Sequence, residues 1–317
     1  MSPAAVHEHC SAETSDSAFL EAARDRLAPV RAEYPFTSRV HHAHGSRLHY
    51  VDEGPRDAPP IVCVHGNPTW SFAFRRILRA FSTTHRVIAI DHLGCGLSEK
   101  PLEGEYTLAR HAENLASLVR ALDLRDVTLV MHDWGGAIGM GFARREPERV
   151  SRIFAMNTAA FRSASMPLRI RACRWPAIGP FLVQRLNAFA GLAPRMAMAH
   201  PSRLSPLAKR GLLLPYDTSE ARIAIQRFVE DIPMSSAHPS WSELVAIEDA
   251  LASFTDRPVS LCWGKRDWCF TPAFRAEWQR RFPAARVTRC DDAGHYLFEE
   301  APEAIEQCLR ELLGRAP

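Results

Sequence analysis

The sequence predicts an α/β domain with a mostly parallel central sheet, flanked by helices and interrupted by an all-helical insertion. Three observations predict it. Continuous apolar runs such as "PPIVCV", "RVIAI" and "VTLVM" alternate with segments of helical periodicity. Such runs suit strands buried on both faces, as in a parallel sheet covered by helices. Between residues 159 and 240 this alternation stops, and it then resumes to the C-terminus.

Residues 1–35 are polar and Ala/Arg-rich, with one short helix expected in "SAFLEAARDRLAPV". They read as an N-terminal arm, either disordered or used in assembly. From 37, "TSRVHHAHGSRLHYVDEG" alternates around a glycine turn and predicts a hairpin. "PPIVCVHGNPTW" is an apolar strand that ends in a Gly/Asn/Pro loop, and "SFAFRRILRAF" has helical period. A strand in "RVIAIDHLGCGLSEKP", an amphipathic helix in "YTLARHAENLASLVRALDL", the strand "VTLVMHD", a helix after Gly136 and the strand "VSRIFAMNT" follow. The core is thus expected over 36–158 and 241–317, and a helical cap over 159–240, after the sixth strand. Within the insertion, Pro167, Pro176, Pro180, Pro194, Pro201, Pro206 and Pro215 are expected to break the helical pieces. The last part reads as helix "SWSELVAIEDALASF", strand "PVSLCWGKRD", helix "TPAFRAEWQRRF", strand "ARVTRCDDAGH" and a final helix.

Composition narrows the function classes. The chain has 317 residues, 46% hydrophobic and 24% charged, enough for a large core without metals or disulfides. A formal charge of +3 gives no case for nucleic acid. The longest apolar candidate, "LNAFAGLAPRMAMA", is too short for a bilayer span, so no stable membrane insertion is expected. The eight cysteines form no CxxC pair, and no secretory pattern opens the chain, which points to the cytoplasm.

Functional sites in parallel sheets form beyond the carboxyl ends of the strands. Four strand ends here carry polar signals: "HGNP" at 65–68, "HDWGG" at 132–136, "GKRD" at 264–267 and "DDAGH" at 291–295. Asp133 sits at the tip of a strand–turn–helix, with Asp267 and His295 following in chain order. As a mere helix N-terminal carboxylate, Asp133 would leave the other strand-end motifs unexplained. A carboxylate nucleophile has a chemical logic. A serine attacking a saturated carbon would form an ether that water cannot readily cleave, whereas a carboxylate forms an ester. Water can attack the carbonyl of that ester. His295 is the group to activate the water, and Asp267 the group to orient and stabilise the imidazole.

Through "HGNPTW", "DHLGCGLS", "HDWGG", "WGKRD" and "AGHY", the chain resembles the α/β-hydrolases, and among them the haloalkane dehalogenases, over about residues 36–312. "PFTSR", "YVDEGPRDAPP", "NTAAF", "LLPYD" and "RFVEDIP" resemble the third dehalogenase subfamily, which includes the cis-β-lactone decarboxylases of bacterial olefin synthesis. The resemblance implies an Asp133–His295–Asp267 triad, in the order known for the hydrolase elbow. It also implies that the Asn67 amide and Trp134 indole hold the leaving group, with backbone N–H groups of the same two residues as an oxyanion hole. Phe161, Phe189, Pro233, Phe270 and Tyr296 are the candidates to line an apolar substrate pocket.

The preferred reaction is decarboxylation of long-chain cis-β-lactones to alkenes, with Asp133 attacking the lactone carbonyl to give a mixed anhydride. The alternative is hydrolysis of carbon–halogen bonds. Epoxide hydrolysis ranks lower because the insertion holds Tyr216 as its one tyrosine. A serine esterase is disfavoured by Asp133, a fluoroacetate dehalogenase by Trp134, and a non-catalytic scaffold by the full triad. No cofactor and no metal are expected. "HHAH" at 41–44 fits a hairpin better than a metal site, and "DHLGCGLS" lacks the lysine and spacing of a phosphate loop. The expected partner is a small apolar substrate, with an enzyme complex of olefin biosynthesis as a further possibility.

Overall fold

The computed structural model describes residues 3–314, with side chains from Ser15 onward. Its centre is an eight-stranded sheet of order β1-β2-β4-β3-β5-β6-β7-β8. The strands are β1 Ser38–Ala43, β2 Ser46–Glu53, β3 Pro60–Val64, β4 Arg86–Ile90, β5 Val127–Asp133, β6 Val150–Thr158, β7 Val259–Gly264 and β8 Arg286–Cys290. β1 and β2 form the antiparallel hairpin, turning at His44 and Gly45, both at positive φ. β2 also runs antiparallel to β4, and the other neighbours are parallel.

β3 and β5 are buried at every position. Alternate side chains serve opposite faces: Val62 and Val64 join one core cluster, Ile61 and Cys63 the other. That two-sided burial is why these strands read as continuous apolar runs. The first cluster includes residues of the helices Leu108–Ala121, Gly135–Arg145 and Trp241–Ala250. The second includes residues of Arg75–Phe81 and Pro302–Leu313. β4 and β5 flank β3 on opposite sides, so the chain reverses direction across the sheet there. A crevice opens at such a switch point, between the loops that leave β3 and β5.

Between β6 and β7 the chain is helical or irregular. Its helices include Leu168–Ala172, Ala188–Met196, Pro206–Leu213 and Ile223–Glu230. Pro206 opens a helix and Pro167 precedes one, as expected from fixed φ and a missing N–H. Pro194 departs from expectation. It lies inside Ala188–Met196 without ending it, near the C-terminal end of the helix and buried. Few residues follow it there, and its packing offsets the one lost backbone bond.

The expectation of a disordered arm is corrected for residues 15–35. The helix Pro3–Leu27 is far longer than the short segment expected, and Ala23, Leu27, Val30 and Tyr34 are buried in the second core cluster. The Tyr34 ring packs at a tilt against Trp70 and Phe72, and its hydroxyl lies 2.6 Å from Ser71 Oγ. The polar, Ala/Arg-rich composition hid this because, of the helix's described side chains, only Ala23 and Leu27 are buried.

Candidate active site

The site begins at the end of β5. Asp133 adopts φ +54°, a left-handed conformation uncommon for a residue with a side chain. The turn closes because its neighbours are glycines. A Cβ on Gly135 would lie 2.0 Å from the Val64 carbonyl oxygen, and one on Gly66 would lie 2.0 Å from Asp133 Oδ1. The two carboxylate oxygens have different surroundings. Oδ1 accepts a 2.6 Å bond from the Asn67 backbone N–H. Oδ2 lies 3.5 Å from His295 Nε2. The Thr158 hydroxyl donates to the Asp133 carbonyl and fixes the turn from β6.

His295 Nδ1 is 2.8 Å from Asp267 Oδ2. Asp267 is buried and fully engaged. Its Oδ1 accepts from the backbone N–H groups of Cys269 at 2.6 Å and Phe270 at 3.0 Å. Its Oδ2 also accepts a 2.6 Å bond from the Asn157 amide. Asn157 is the residue that reading the sequence for carboxylates missed. The β5–β6 register jumps there, pairing His132 with Met156 and Asp133 with Thr158, and Asn157 takes φ +39°. That bulge aims its side chain across β7: Nδ2 reaches Asp267 while Oδ1 accepts from the Gly264 N–H at 2.9 Å. The available signal was an Asn at a strand end beside the candidate elbow.

Charge couples these groups. Burial opposes a charged His295, but the Asp267 and Asp133 carboxylates outweigh it and raise its pKa to about 10. Burial likewise opposes ionisation of Asp267, yet His295, Asn157 and the Cys269 N–H hold it below its ordinary value. The resting site is therefore an imidazolium between two carboxylates. His132 has the reverse character. Burial, then the neighbouring His295 charge, lower its pKa to about 4, and its Nε2 lies 2.9 Å from the His295 carbonyl oxygen. Neutral His132 donates there and positions the loop that carries His295. His65 is also structural, accepting from the His92 N–H at 2.9 Å.

Asp133 and His295 face a cavity of about 340 Å³. Each residue singled out for the pocket lies on it: Asn67 and Trp134, then Phe161, Phe189, Pro233, Phe270 and Tyr296. Asp267 stands behind His295. The Trp134 indole packs edge-on against Phe228 with ring centroids 5.3 Å apart. Asn67 donates one amide hydrogen to the Ile225 carbonyl at 3.1 Å, so the insertion fixes this side chain. The remaining hydrogen is the one open to a leaving group.

The other motifs are structural. Asp91 of "DHLGCGLS" accepts from the Ser71 and Leu97 N–H groups at 2.7 and 2.8 Å and pairs with His49 at 2.8 Å. In "HHAH", His41 meets Ser117, His42 meets Asp16, and His44 forms the turn, so the three imidazoles do not converge.

The model of the alpha/beta hydrolase fold family matches residues 59–302. The chain is an α/β hydrolase. This hydrolase is 36% identical over 277 residues to a cis-3-alkyl-4-alkyloxetan-2-one decarboxylase of Shewanella oneidensis, covering 86% of each chain. It is 37% identical over 296 residues to the decarboxylase of that name from Xanthomonas campestris, covering 90% of this chain and 98% of the relative. Among solved structures it superposes on the haloalkane dehalogenase DatA from Agrobacterium tumefaciens C58 with a TM-score of 0.77 at 30% identity, over 87% of this chain and 96% of that one. These relatives make the hydrolase an enzyme. No helix among its described residues is long and apolar enough to cross a membrane.

Proposed function

We propose that the enzyme decarboxylates cis-β-lactones bearing long alkyl chains to alkenes, with Asp133 as nucleophile. The observation that carries this reading is a buried carboxylate with one oxygen held by a backbone N–H and the other facing an apolar cavity. The similarity to the two oxetanone decarboxylases supports the substrate class. Residues 159–240 act as the cap over the cavity.

Bond balance refines the chemical step. Attack at the lactone carbonyl, the sequence-based expectation, would leave the ring oxygen on a carbon that has to become alkene. Attack of Asp133 Oδ2 on the ring carbon bonded to that oxygen balances. The C–O bond breaks, the ring oxygen leaves as a carboxylate, and Asp133 becomes an alkyl ester. The free carboxylate then leaves as CO₂, its C–C electron pair forms the alkene, and the ester C–O bond breaks to regenerate Asp133. No water is consumed. The His295 imidazolium, 3.5 Å from Oδ2, stabilises the departing Asp133 carboxylate. Asn67 and Trp134 donate to the carboxylate released from the ring.

Haloalkane hydrolysis is the second reading, favoured by the Asn67 amide and Trp134 indole bordering the cavity. There, esterification removes the Asp133 charge that helps hold His295 protonated, so the histidine becomes a base when water must be activated. Epoxide opening fits poorly. Tyr216 lies outside the cavity lining, with its hydroxyl donating to the Thr69 carbonyl at 3.1 Å.

The test is a paired product assay on purified protein, with a long-chain cis-β-lactone in one arm, 1,2-dibromoethane in the other, and Asp133→Ala in both. Fast alkene and slow bromide release are expected, both dependent on Asp133. Fast bromide with no alkene would make it a haloalkane dehalogenase, and products independent of Asp133 would overturn the mechanism.

A further inference from the structure

The segment that walls the cavity from the insertion has an unusual outer surface. Of the seven large apolar side chains most exposed among the described residues, six fall between 168 and 192: Leu168, Trp175, Ile178, Phe181 and Leu186, with Leu192 at the rim of the cavity that it also lines. Phe181 is 56% exposed and Trp175 is 55% exposed. Single exposed apolar residues are ordinary, but five outside the cavity within one short segment mark an interaction surface.

Charge indicates what this surface meets. From Arg149 to Tyr216 the sequence holds eleven lysines and arginines and no aspartate or glutamate. Arg171, Arg185 and Arg195 are exposed and have no carboxylate partner among the described residues. Within the span Arg149 pairs with Asp123 and Glu146, Arg162 with Glu248 and Arg203 with Asp292, all at its two ends or on neighbouring core loops, whereas many core arginines sit in ion-pair clusters: Arg120 with Glu113 and Glu146, Arg145 with Glu113 and Glu243, and Arg281 with Glu248 and Glu277. The exposed aromatics thus share an acid-free stretch of sequence with three exposed arginines that no carboxylate answers among the described residues.

We propose that this face docks on an anionic lipid bilayer. Arginines read the headgroup charge while Trp175, Phe181 and the neighbouring aliphatic side chains enter the interface, without a helix crossing it. A second copy of the chain fits less well, because a two-fold contact of this face would set arginine against arginine with no acid to answer it. The same segment has an inner side, on which Ile170, Leu182 and Phe189 line the cavity. The docking stands on the surface alone. That the bilayer delivers an apolar substrate to the cavity rests on the reaction proposed above.

The experiment is flotation of the full chain, without substrate, on vesicles of phosphatidylcholine alone or with phosphatidylglycerol, at low and high salt. Binding is expected on the anionic vesicles and is expected to fall at least tenfold in high salt, where headgroup charge is screened. At about fivefold per basic residue, Arg171→Glu with Arg185→Glu lowers the partition by roughly 25-fold or more. Phe181→Asp, and separately Trp175→Ser, weaken it, while Leu102→Ser, at an exposed apolar site outside the segment, leaves it unchanged. Thermal melting of each variant reports folding. Equal binding to both vesicle types, no binding to either, or loss of self-association as the sole effect of Phe181→Asp would overturn the proposal. The last result would make the face a protein interface. None of these readouts uses turnover, so failure of docking and failure of the reaction are told apart.

Discussion

The two walls of the cavity are built on different terms. The core wall is polar at its base, and each group there has a fixed partner: Asp133 on the Asn67 N–H, His295 on Asp267, Asp267 on Asn157. The insertion wall is largely apolar, with side chains such as Ile170, Leu182, Phe189 and Pro233 packed by shape. A hydrogen-bonded carboxylate has one useful position, whereas an apolar side chain can be exchanged if volume is kept. The core wall should therefore govern whether reaction occurs, and the insertion wall which molecule reacts.

The sharpest way to break that contrast is at Asp133. Asp133→Ala should lower turnover of either substrate roughly ten-thousand-fold, because the neighbouring Cys269 thiol is kept protonated by burial and by the Asp267 and Asp133 carboxylates and is no substitute nucleophile. His295→Gln should then separate the two reactions. Dibromoethane would leave an alkyl ester on Asp133, visible as added mass in the intact protein, because water is no longer activated. A lactone would still decay to alkene, only more slowly.

Asn157→Ala tests a core partner one step removed. It deletes a 2.6 Å bond to a buried carboxylate, and turnover should fall about 10- to 100-fold. Asp267 should become easier to protonate, moving the acid limb of the kcat profile upward. A purely structural residue would lower stability without moving that limb.

Stability should carry the same signature. The His295 pKa rises from 6.5 to about 10 on folding. Its contribution is then complete below about pH 6.5 and is lost as pH rises towards 10. Asp267, held low, contributes above its ordinary value and loses that contribution in acid. Denaturant midpoints should fall between pH 6.5 and 10, and Asp133→Asn should flatten the fall by removing one charge that holds the proton.

The smallest effects belong to the insertion wall. Phe189→Ala should raise the KM of a long-chain substrate about tenfold while leaving bromide release from dibromoethane within about twofold. Equal losses on both substrates would mean that the insertion also shapes the reacting geometry.

The sequence by itself determined the sheet, the hairpin and the strand-end groups. Strands buried on both faces must be apolar throughout, and Gly135 and Gly136 mark a turn with no space for a Cβ. That Asp133, Asp267 and His295 come together was legible because all three stand at strand ends, where periodicity gives way to polar loops. Only the tertiary structure decided the rest. Asn157 acquires its role from a register shift between two strands, which no local pattern records. The N-terminal helix is held by Ala23 and Leu27, and the segment after it by Tyr34 against Trp70 and Phe72, contacts made across the fold rather than along the chain. Pro194 stays helical because of where it is buried. The insertion follows the same rule: its exposed and cavity-lining apolar residues share one composition, and only packing against the core separates them.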